Sequence, residues 1–382
     1  MKTNNYLTVF LLLLALLPAS LAAQSSLTLD NTAGIFSNDI DDFMDPNDYE
    51  NVEFDNYFLE FQGSSAGAPP LVVGFATNFG DMYTGFYYSG NILNYQKNAG
   101  DINSNSINNL ELLLGSPSFG GIKLGLGLNL YKEKISGVTA DANIYTFSAG
   151  WGKNFELSNG TTLKPEVNAF YMSTSSKVSV PGLGNFSIFD INYIFGLSLE
   201  TDWILSPKGD AERSWTFGYN FAFGDADFMG MDVTPLDHGL TASYKQVYNL
   251  SEKFSAGLSA GVEVNYLSYS YSTSGIELSW SALLFIPNAA AAFTYKFDTP
   301  FSVNAGLDLA YPIIRDNASV SFSGFPSVSN TTVTYPGFTV TTTAGGSFEP
   351  YPGLAIDFSW RSPNGYYDVD MGVITLAVRI KK

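Results

Sequence analysis

Residues 121–131 read GIKLGLGLNLY. Ile122, Leu124, Leu126, Leu128 and Leu130 fall on one face of an extended chain, and Lys123, Gly125, Gly127 and Asn129 on the other. A period of two with aliphatics opposite small and polar residues describes a strand between two unlike surroundings. In a soluble sandwich the leucines face a core. In a membrane barrel they face lipid, and the polar side lines a lumen.

The same pattern recurs along the chain. Tyr145, Phe147, Ala149 and Trp151 oppose Thr146, Ser148 and Gly150, and Val167, Ala169 and Tyr171 face away from Glu166 and Asn168. Tyr193, Phe195, Leu197 and Leu199 oppose Asn192, Gly196, Ser198 and Glu200, followed by Trp215 to Phe223 in the same alternation. Leu258, Ala260, Val262, Val264 and Tyr266 oppose Ser259, Gly261, Glu263 and Asn265. Near Leu267 the apolar side changes parity, with Tyr269 and Tyr271 taking it up, which predicts a β-bulge. Leu307 and Leu309 flank Asp308, Ile356 and Phe358 flank Asp357, and Val378 and Ile380 flank Arg379. The run Ile276 to Ala292, interrupted by Pro287-Asn288, reads as one long strand, two strands or a short lumenal helix.

Connections alternate in length. Gly80-Asp81, 116–120, 157–161, 249–253, 298–300 and 349–353 are short, whereas 94–106, 173–185, 225–235 and 313–330 read as longer polar loops. Short turns on one rim and long loops on the other fit a transmembrane barrel. The expected fold is therefore all-β, an antiparallel transmembrane β-barrel of 14–16 strands over residues 52–382.

Composition supports lipid. Charged residues are 14% of the chain, aromatics 15%, with 36 Gly; soluble domains carry about a quarter charged residues. Residues 1–22 have the layout of an export signal: Lys2, the apolar run Leu7 to Leu17, Pro18, and small residues at Ser20 and Ala22. That run is too short to span a bilayer as a helix. Loss of Lys2 with the signal leaves 17 Lys+Arg against 36 Asp+Glu, a net charge of −19. Such a chain is a poor partner for nucleic acid or anionic surfaces. The chain has no cysteine, which excludes disulfides, thiolate metal sites and an acylated lipoprotein anchor.

Residues 23–51 lack alternation and collect Asp39, Asp41, Asp42, Asp45, Asp48 and Glu50. Asp39, Asp41 and Glu50 have the first, third and twelfth spacing of a calcium loop, but Met44 stands where such a loop needs glycine. The segment reads as a solvated periplasmic stretch or as a hatch folded into the lumen; no metal or other cofactor is expected. His238 is the only histidine. Beside Asp237 it offers an acid–base pair without further catalytic partners, so it reads as a rim residue, and no catalytic role is expected. By parity Lys123, Glu166, Glu200, Glu263, Asp308, Asp357 and Arg379 line the lumen, because a charge facing lipid costs about 2–4 kcal/mol at the midplane. They fill the interior with ion pairs and hydrogen bonds, line a solute path, or do both; an open acidic lumen favours cations.

The export signal, the segment SNDIDDFMDPNDYENVEFDNYF (residues 37–58) and the strand layout resemble the long-chain fatty-acid transporter family and treponemal-type outer-membrane proteins. The resemblance is of layout and carries no motif residue by residue. It implies an outer-membrane location in a didermal bacterium after signal cleavage, an N-terminal hatch and a hydrophobic solute. It also implies outer-membrane lipid and the barrel-assembly machinery as partners. The end Arg379-Ile380-Lys381-Lys382 lacks the terminal aromatic of proteobacterial barrels, which implies another didermal lineage. The expected function is passage of small solutes or hydrophobic molecules across the outer membrane. The alternative is a non-transporting barrel acting as adhesin or interaction partner through its long loops.

Overall fold

The computed structural model describes residues 56–64, 71–79, 82–90, 94–98, 101–135, 138–180, 184–187, 189–208, 211–228, 231–273, 276–322, 327–351, 354–362 and 373–381. The export signal, the acidic segment 23–51 and its candidate hatch carboxylates lie outside these.

The first strands are short: β1 Asn56–Ser64, β2 Leu71–Phe79, β3 Met82–Gly90 and β4 Asn94–Asn98. Longer strands follow as β5 Asp101–Ser116, β6 Gly120–Ile135 and β7 Val138–Gly152. The two-residue β8 Phe155–Glu156 precedes β9 Thr162–Val180, and β10 Gly184–Phe186 precedes β11 Phe189–Lys208. The tallest part of the wall comprises β12 Ala211–Phe228, β13 Met231–Asn249, β14 Phe254–Thr273 and β15 Ile276–Lys296. The chain finishes with β16 Phe301–Ala310, β17 Ile313–Phe322, β18 Val328–Thr334, β19 Thr339–Tyr351, β20 Leu354–Arg361 and β21 Val373–Lys381.

All pairings are antiparallel, and β1 bonds β2 on one side and β21 on the other, so the sheet closes on itself. Among the described residues the ring runs through β1, β2, β3, β5, β6, β7, β9, β11, β12, β13, β14, β15, β16, β19, β20 and β21, sixteen strands. Closure leaves the ring without the unpaired edges that would be untenable in a hydrocarbon layer.

The opening stretch lies within β6, and its leucines point outward: Leu126 is 56% exposed. Outward apolar residues follow on strand after strand, among them Leu112, Phe147, Phe195, Phe217, Leu240, Leu258, Phe293, Leu307 and Phe358. On β11 this belt runs from Tyr193 to Trp203. Ten residues at about 3.3 Å each, tilted by about 40°, give a height of roughly 25 Å, the thickness of an outer-membrane barrel's apolar band. Trp151, Trp203 and Trp215 mark its short-turn edge. Trp151 Nε1 donates to the Phe119 carbonyl at 2.9 Å, holding its ring at the rim. Asn159 and Gly160 form one such turn, Gly160 with φ 77°, and Asn159 Oδ1 accepts from the Thr161 amide at 3.0 Å.

Two expectations are corrected, and one left open is decided. The longer polar links are largely strand: 225–235 belongs to β12 and β13 except for residues 229–230, and 313–330 forms most of the β17–β18 hairpin. Of the readings of Ile276 to Ala292, the single long strand holds, as β15. Its upper half, Ile276 to Phe285, pairs with β17, and its lower part from Asn288 pairs with β16. Pro287, which has no amide to donate, sits where β15 changes neighbours, and its carbonyl accepts from the Tyr311 amide at 3.0 Å. Finally, no bulge interrupts β14. Its register is continuous with β15 from Phe254 to Thr273 and with β13 from Ser255 to Ser272, so Leu267, Tyr269 and Tyr271 share the inward face with Glu263 and Asn265.

Candidate functional site: the barrel interior

What changes near Leu267 is the environment rather than the parity. On β14 the outward residues are apolar up to Tyr266 and then become Ser268, Ser270 and Ser272; the inward ones are Ser259, Gly261, Glu263 and Asn265, then Leu267, Tyr269 and Tyr271. β15 exchanges in the same way, from outward Leu283 to Ser281 and Ser279 while Ala282 and Trp280 point inward. The exchange continues at Tyr171/Ser173 on β9, Phe223/Asp225 on β12 and Tyr145/Asn143 on β7. Above the line formed by Tyr145, Tyr171, Tyr193 and Tyr266 the wall is polar outside and apolar inside. Below it the order is the reverse. A sheet whose outer face leaves lipid and enters water must make this exchange, because each face follows its solvent.

Below the line the interior is polar. Glu166 on β9 pairs with Glu200 on β11, and the same rung continues through Gly218 and Thr241 to Glu263 on β14. Like charges facing each other across a strand pair are unfavourable unless hydrogen bonds support them. Asn168 Nδ2 donates to Glu166 Oε1, and Asn265 Nδ2 donates to Glu263 Oε1. Both come from the same local sequence, Glu-Val-Asn at 166–168 and 263–265, in which residues i and i+2 share a face. Toward the short-turn rim follow a rung with Lys164, Asp202, Thr216 and Ser243, and then one with Lys245, Ser259, Asp308 and Thr341. Thr216 Oγ1 donates to Asp202 Oδ1. A cavity of about 270 Å³ opens against these rungs, lined by Glu200, Asp202, Thr216, Ser243, Lys245 and Asp308 among others.

Lys123, Glu166, Glu200, Glu263, Asp308 and Asp357 thus take the inner face, with Glu263 and Asp308 only 7% and 6% exposed. The structure brings Glu166, Glu200 and Glu263 onto one rung and Asp308 two rungs below; Lys123 and Asp357 stand on other parts of the wall. Arg379 pairs with Ala355 and Phe58 in the backbone ladder, its side chain lying outside the described residues. Reading the sequence alone does not single out Asp202, Lys245 or the two supporting asparagines. The repeated Glu-Val-Asn is the available signal for the asparagines. Close packing keeps these side chains flat along the wall: a Cβ on Gly150 would overlap Asn168 Oδ1.

Above the line the inner wall is a packed apolar cluster of Met172, Ile191, Ile194, Ala226, Val233 and Tyr269, joined by Phe170 and Trp280. Ile194 is 1% exposed, and Trp280 stacks on Tyr269 at 5.5 Å. A register shift between Ile191 and Tyr193 lets both Ile191 and Ile194 reach this cluster while Tyr193 stays outside.

Asp237 and His238 are separated by the pleat. Asp237 faces inward beside Ala222 and Tyr269, and His238 faces outward in the apolar belt, well inside β13 rather than at a rim. His238 Nδ1 lies 3.0 Å from the Tyr219 hydroxyl, and its ring is 4.9 Å from that of Phe221. Neighbours on one strand cannot form an acid–base pair across its two faces.

No known family profile matches this chain, and no curated protein matches it. Among solved structures, CdiB from Escherichia coli is similar at 11% identity and a TM-score of 0.49, over 85% of this chain and 62% of that one. CdiB from Acinetobacter baumannii gives 12% and 0.47, over 86% and 59%. The chain therefore spans less than two thirds of either. The alcaligin outer-membrane receptor FauA from Bordetella pertussis gives 8% and 0.36, over 87% and 76%. Likenesses this distant carry nothing about solute, partner or membrane.

Proposed function

We propose that this chain is an integral outer-membrane barrel that passes small solutes, collecting amphipathic or hydrophobic molecules at an apolar mouth above a polar, acidic conduit. The observation that carries the reading is the exchange of faces along single unbroken strands. It sets a boundary between lipid and water near Tyr266 and gives the barrel two interiors. The upper one offers apolar side chains to a molecule that leaves water readily. The lower one offers carboxylates, amides and hydroxyls, whose negative charge favours cations over anions. In this reading residues 1–22 direct export, and residues 23–51 act as a hatch at the periplasmic end through Asp39, Asp41, Asp42, Asp45, Asp48 and Glu50. The hydrophobic solute and the hatch rest on the resemblance to fatty-acid transporters as well as on the apolar mouth. Barrel-assembly machinery inserts the chain, and outer-membrane lipid surrounds it.

Planar-bilayer recording on the folded, detergent-purified barrel, with uptake of a radiolabelled long-chain fatty acid into expressing cells, tests this. Cation-selective current or fatty-acid uptake above the empty-vector control supports it. A folded barrel that passes neither ion nor fatty acid refutes it.

A further inference from the structure

Strands β9 and β11 to β15 contain 18–21 residues. About 9–11 residues suffice to cross a membrane, so these strands rise beyond the tyrosine line as a crown. Where the apolar lining of the crown meets the polar interior stands one carboxylate, Asp237 on β13. Along its rung Phe170, Gly196, Ala222, Leu267 and Ala282 carry no polar side chain, and Asp316 comes next, three strands away. Directly above lie Pro235, Tyr269 and Trp280. One rung below come the amides of Asn168, Asn220 and Asn265. The rung of Glu166, Glu200 and Glu263 follows, about 13 Å along the strand from Asp237.

A carboxylate set among apolar side chains is unfavourable unless a partner supplies the opposite charge. In a membrane-embedded wall such a group marks a solute path. Asp237 shares a cavity of about 10 Å³ with Ile194, Ala222, Phe223, Leu236 and Tyr269. Tyr269 is only 5% exposed, and among the described residues its hydroxyl has no hydrogen-bond partner. The flanking strands β12 and β15 are both in place, so neither group faces an open edge. The cavity has room for one water-sized group. An ammonium is of that size and donates to both oxygens. We infer, resting on the transport reading above, that the solute is an amphipathic cation, its ammonium head held between Asp237 and the Tyr269 hydroxyl and its apolar tail against the lining of the crown.

Other solutes fit less well. A divalent metal ion takes six or more ligands, mostly oxygens, and Ile194, Ala222, Phe223 and Leu236 offer no side-chain oxygen. A fatty-acid carboxylate meets Asp237 first and the glutamate rung next. The inward Lys164 and Lys245 stand below that rung, and each shares its own rung with an aspartate, Asp202 or Asp308. The tail of an amine meets Met172, Ile194, Phe170 and Trp280, and each methylene it buries tightens binding roughly fourfold. From Asp237 the head then finds the asparagine rung and the glutamate rung in turn, acceptors about 7 Å apart along the wall.

The test uses the full-length barrel in non-ionic detergent, titrated calorimetrically at neutral pH with octylammonium, octanoate and ethylammonium. The heat of mixing each probe with protein-free micelles is subtracted. Saturable binding of octylammonium is expected, with octanoate and ethylammonium at least tenfold weaker. Asp237→Asn should weaken octylammonium binding at least tenfold and Tyr269→Phe several-fold, with heat-modifiable mobility intact in both. Octanoate or ethylammonium binding as tightly as octylammonium would overturn the inference, as would full-strength binding to Asp237→Asn. Absence of saturation overturns it too, since the cavity then holds water only. Flux of the same probes through reconstituted vesicles separates this inference from the transport reading. Octanoate flux without octylammonium binding overturns the inference and leaves transport standing. Octylammonium binding without flux of any probe supports the head-group site and overturns transport alone.

Discussion

Arginine at two outward positions of β14 should have very different consequences. Ala260 and Ser270 lie on the same face of one strand, ten residues apart, with unbroken register between them. That separation is about 33 Å along the strand and roughly 25 Å in height. The apolar belt on β14 runs from Phe254 to Tyr266, which puts Ala260 at its middle and Ser270 above its upper edge. Neither site loses much packing, because both side chains are small and face away from the lumen. The difference therefore isolates the surrounding medium. Ala260→Arg should destabilise the inserted barrel by about 2–4 kcal/mol, and Ser270→Arg by about 0–0.5 kcal/mol. The assay is reversible urea unfolding in phospholipid vesicles followed by tryptophan fluorescence, with heat-modifiable gel mobility as the check on folding. At about 1.4 kcal/mol per tenfold, the two costs separate the variants by roughly tenfold or more in the ratio of inserted to unfolded protein. Equal costs, or a larger cost at Ser270, would refute the placement of the boundary at Tyr266. A bulge at Leu267 would instead put Tyr269 and Tyr271 in lipid, so Tyr269→Arg then becomes the costly substitution of an outward residue.

The other predictions concern the interior. Glu200→Gln combined with Glu263→Gln should lower the cation-to-anion permeability ratio, read from the reversal potential in a salt gradient, while mobility on gels stays that of a folded barrel. Tyr269→Ala should cost about 3 kcal/mol, since it empties a ring-sized space in the packed crown beside Trp280; the vesicle unfolding curve checks it, together with faster proteolysis of the crown. Gly196→Ala would drive a methyl group into the Phe170 ring, so a loss of about 1–3 kcal/mol is expected, measurable in the same way. Asn168→Ala should remove the amide that donates to Glu166 beside Glu200, and the same titration should show a loss of about 1 kcal/mol.

Much of the barrel is legible in the sequence, because alternation is local. In GIKLGLGLNLY the chain's own pleat assigns Leu126 and Lys123 to opposite faces, and the structure keeps that assignment. The same rule places Glu166, Glu200, Glu263, Asp308 and Asp357 inside. The rule fails in the upper third, where alternation persists but its meaning reverses. Polar residues such as Asp225, Ser173 and Asn317 resemble loops, yet they are the watery outside of a crown that continues the strands. Asp237 and His238 resemble a pair because they adjoin in the chain, and the strand sets them on opposite faces.

The sequence alone determined that this chain forms two-faced strands and which residues share a face within each strand, since both follow from a repeat of two residues. Whether the change at Leu267 is an extra residue or a change of solvent was decided only by the unbroken pairing of β14 with both neighbours. Tertiary structure also decided which carboxylates meet. Glu166 and Glu200 share a rung because β9 and β11 pair in one register, and the sequence separation between them carries no record of that choice.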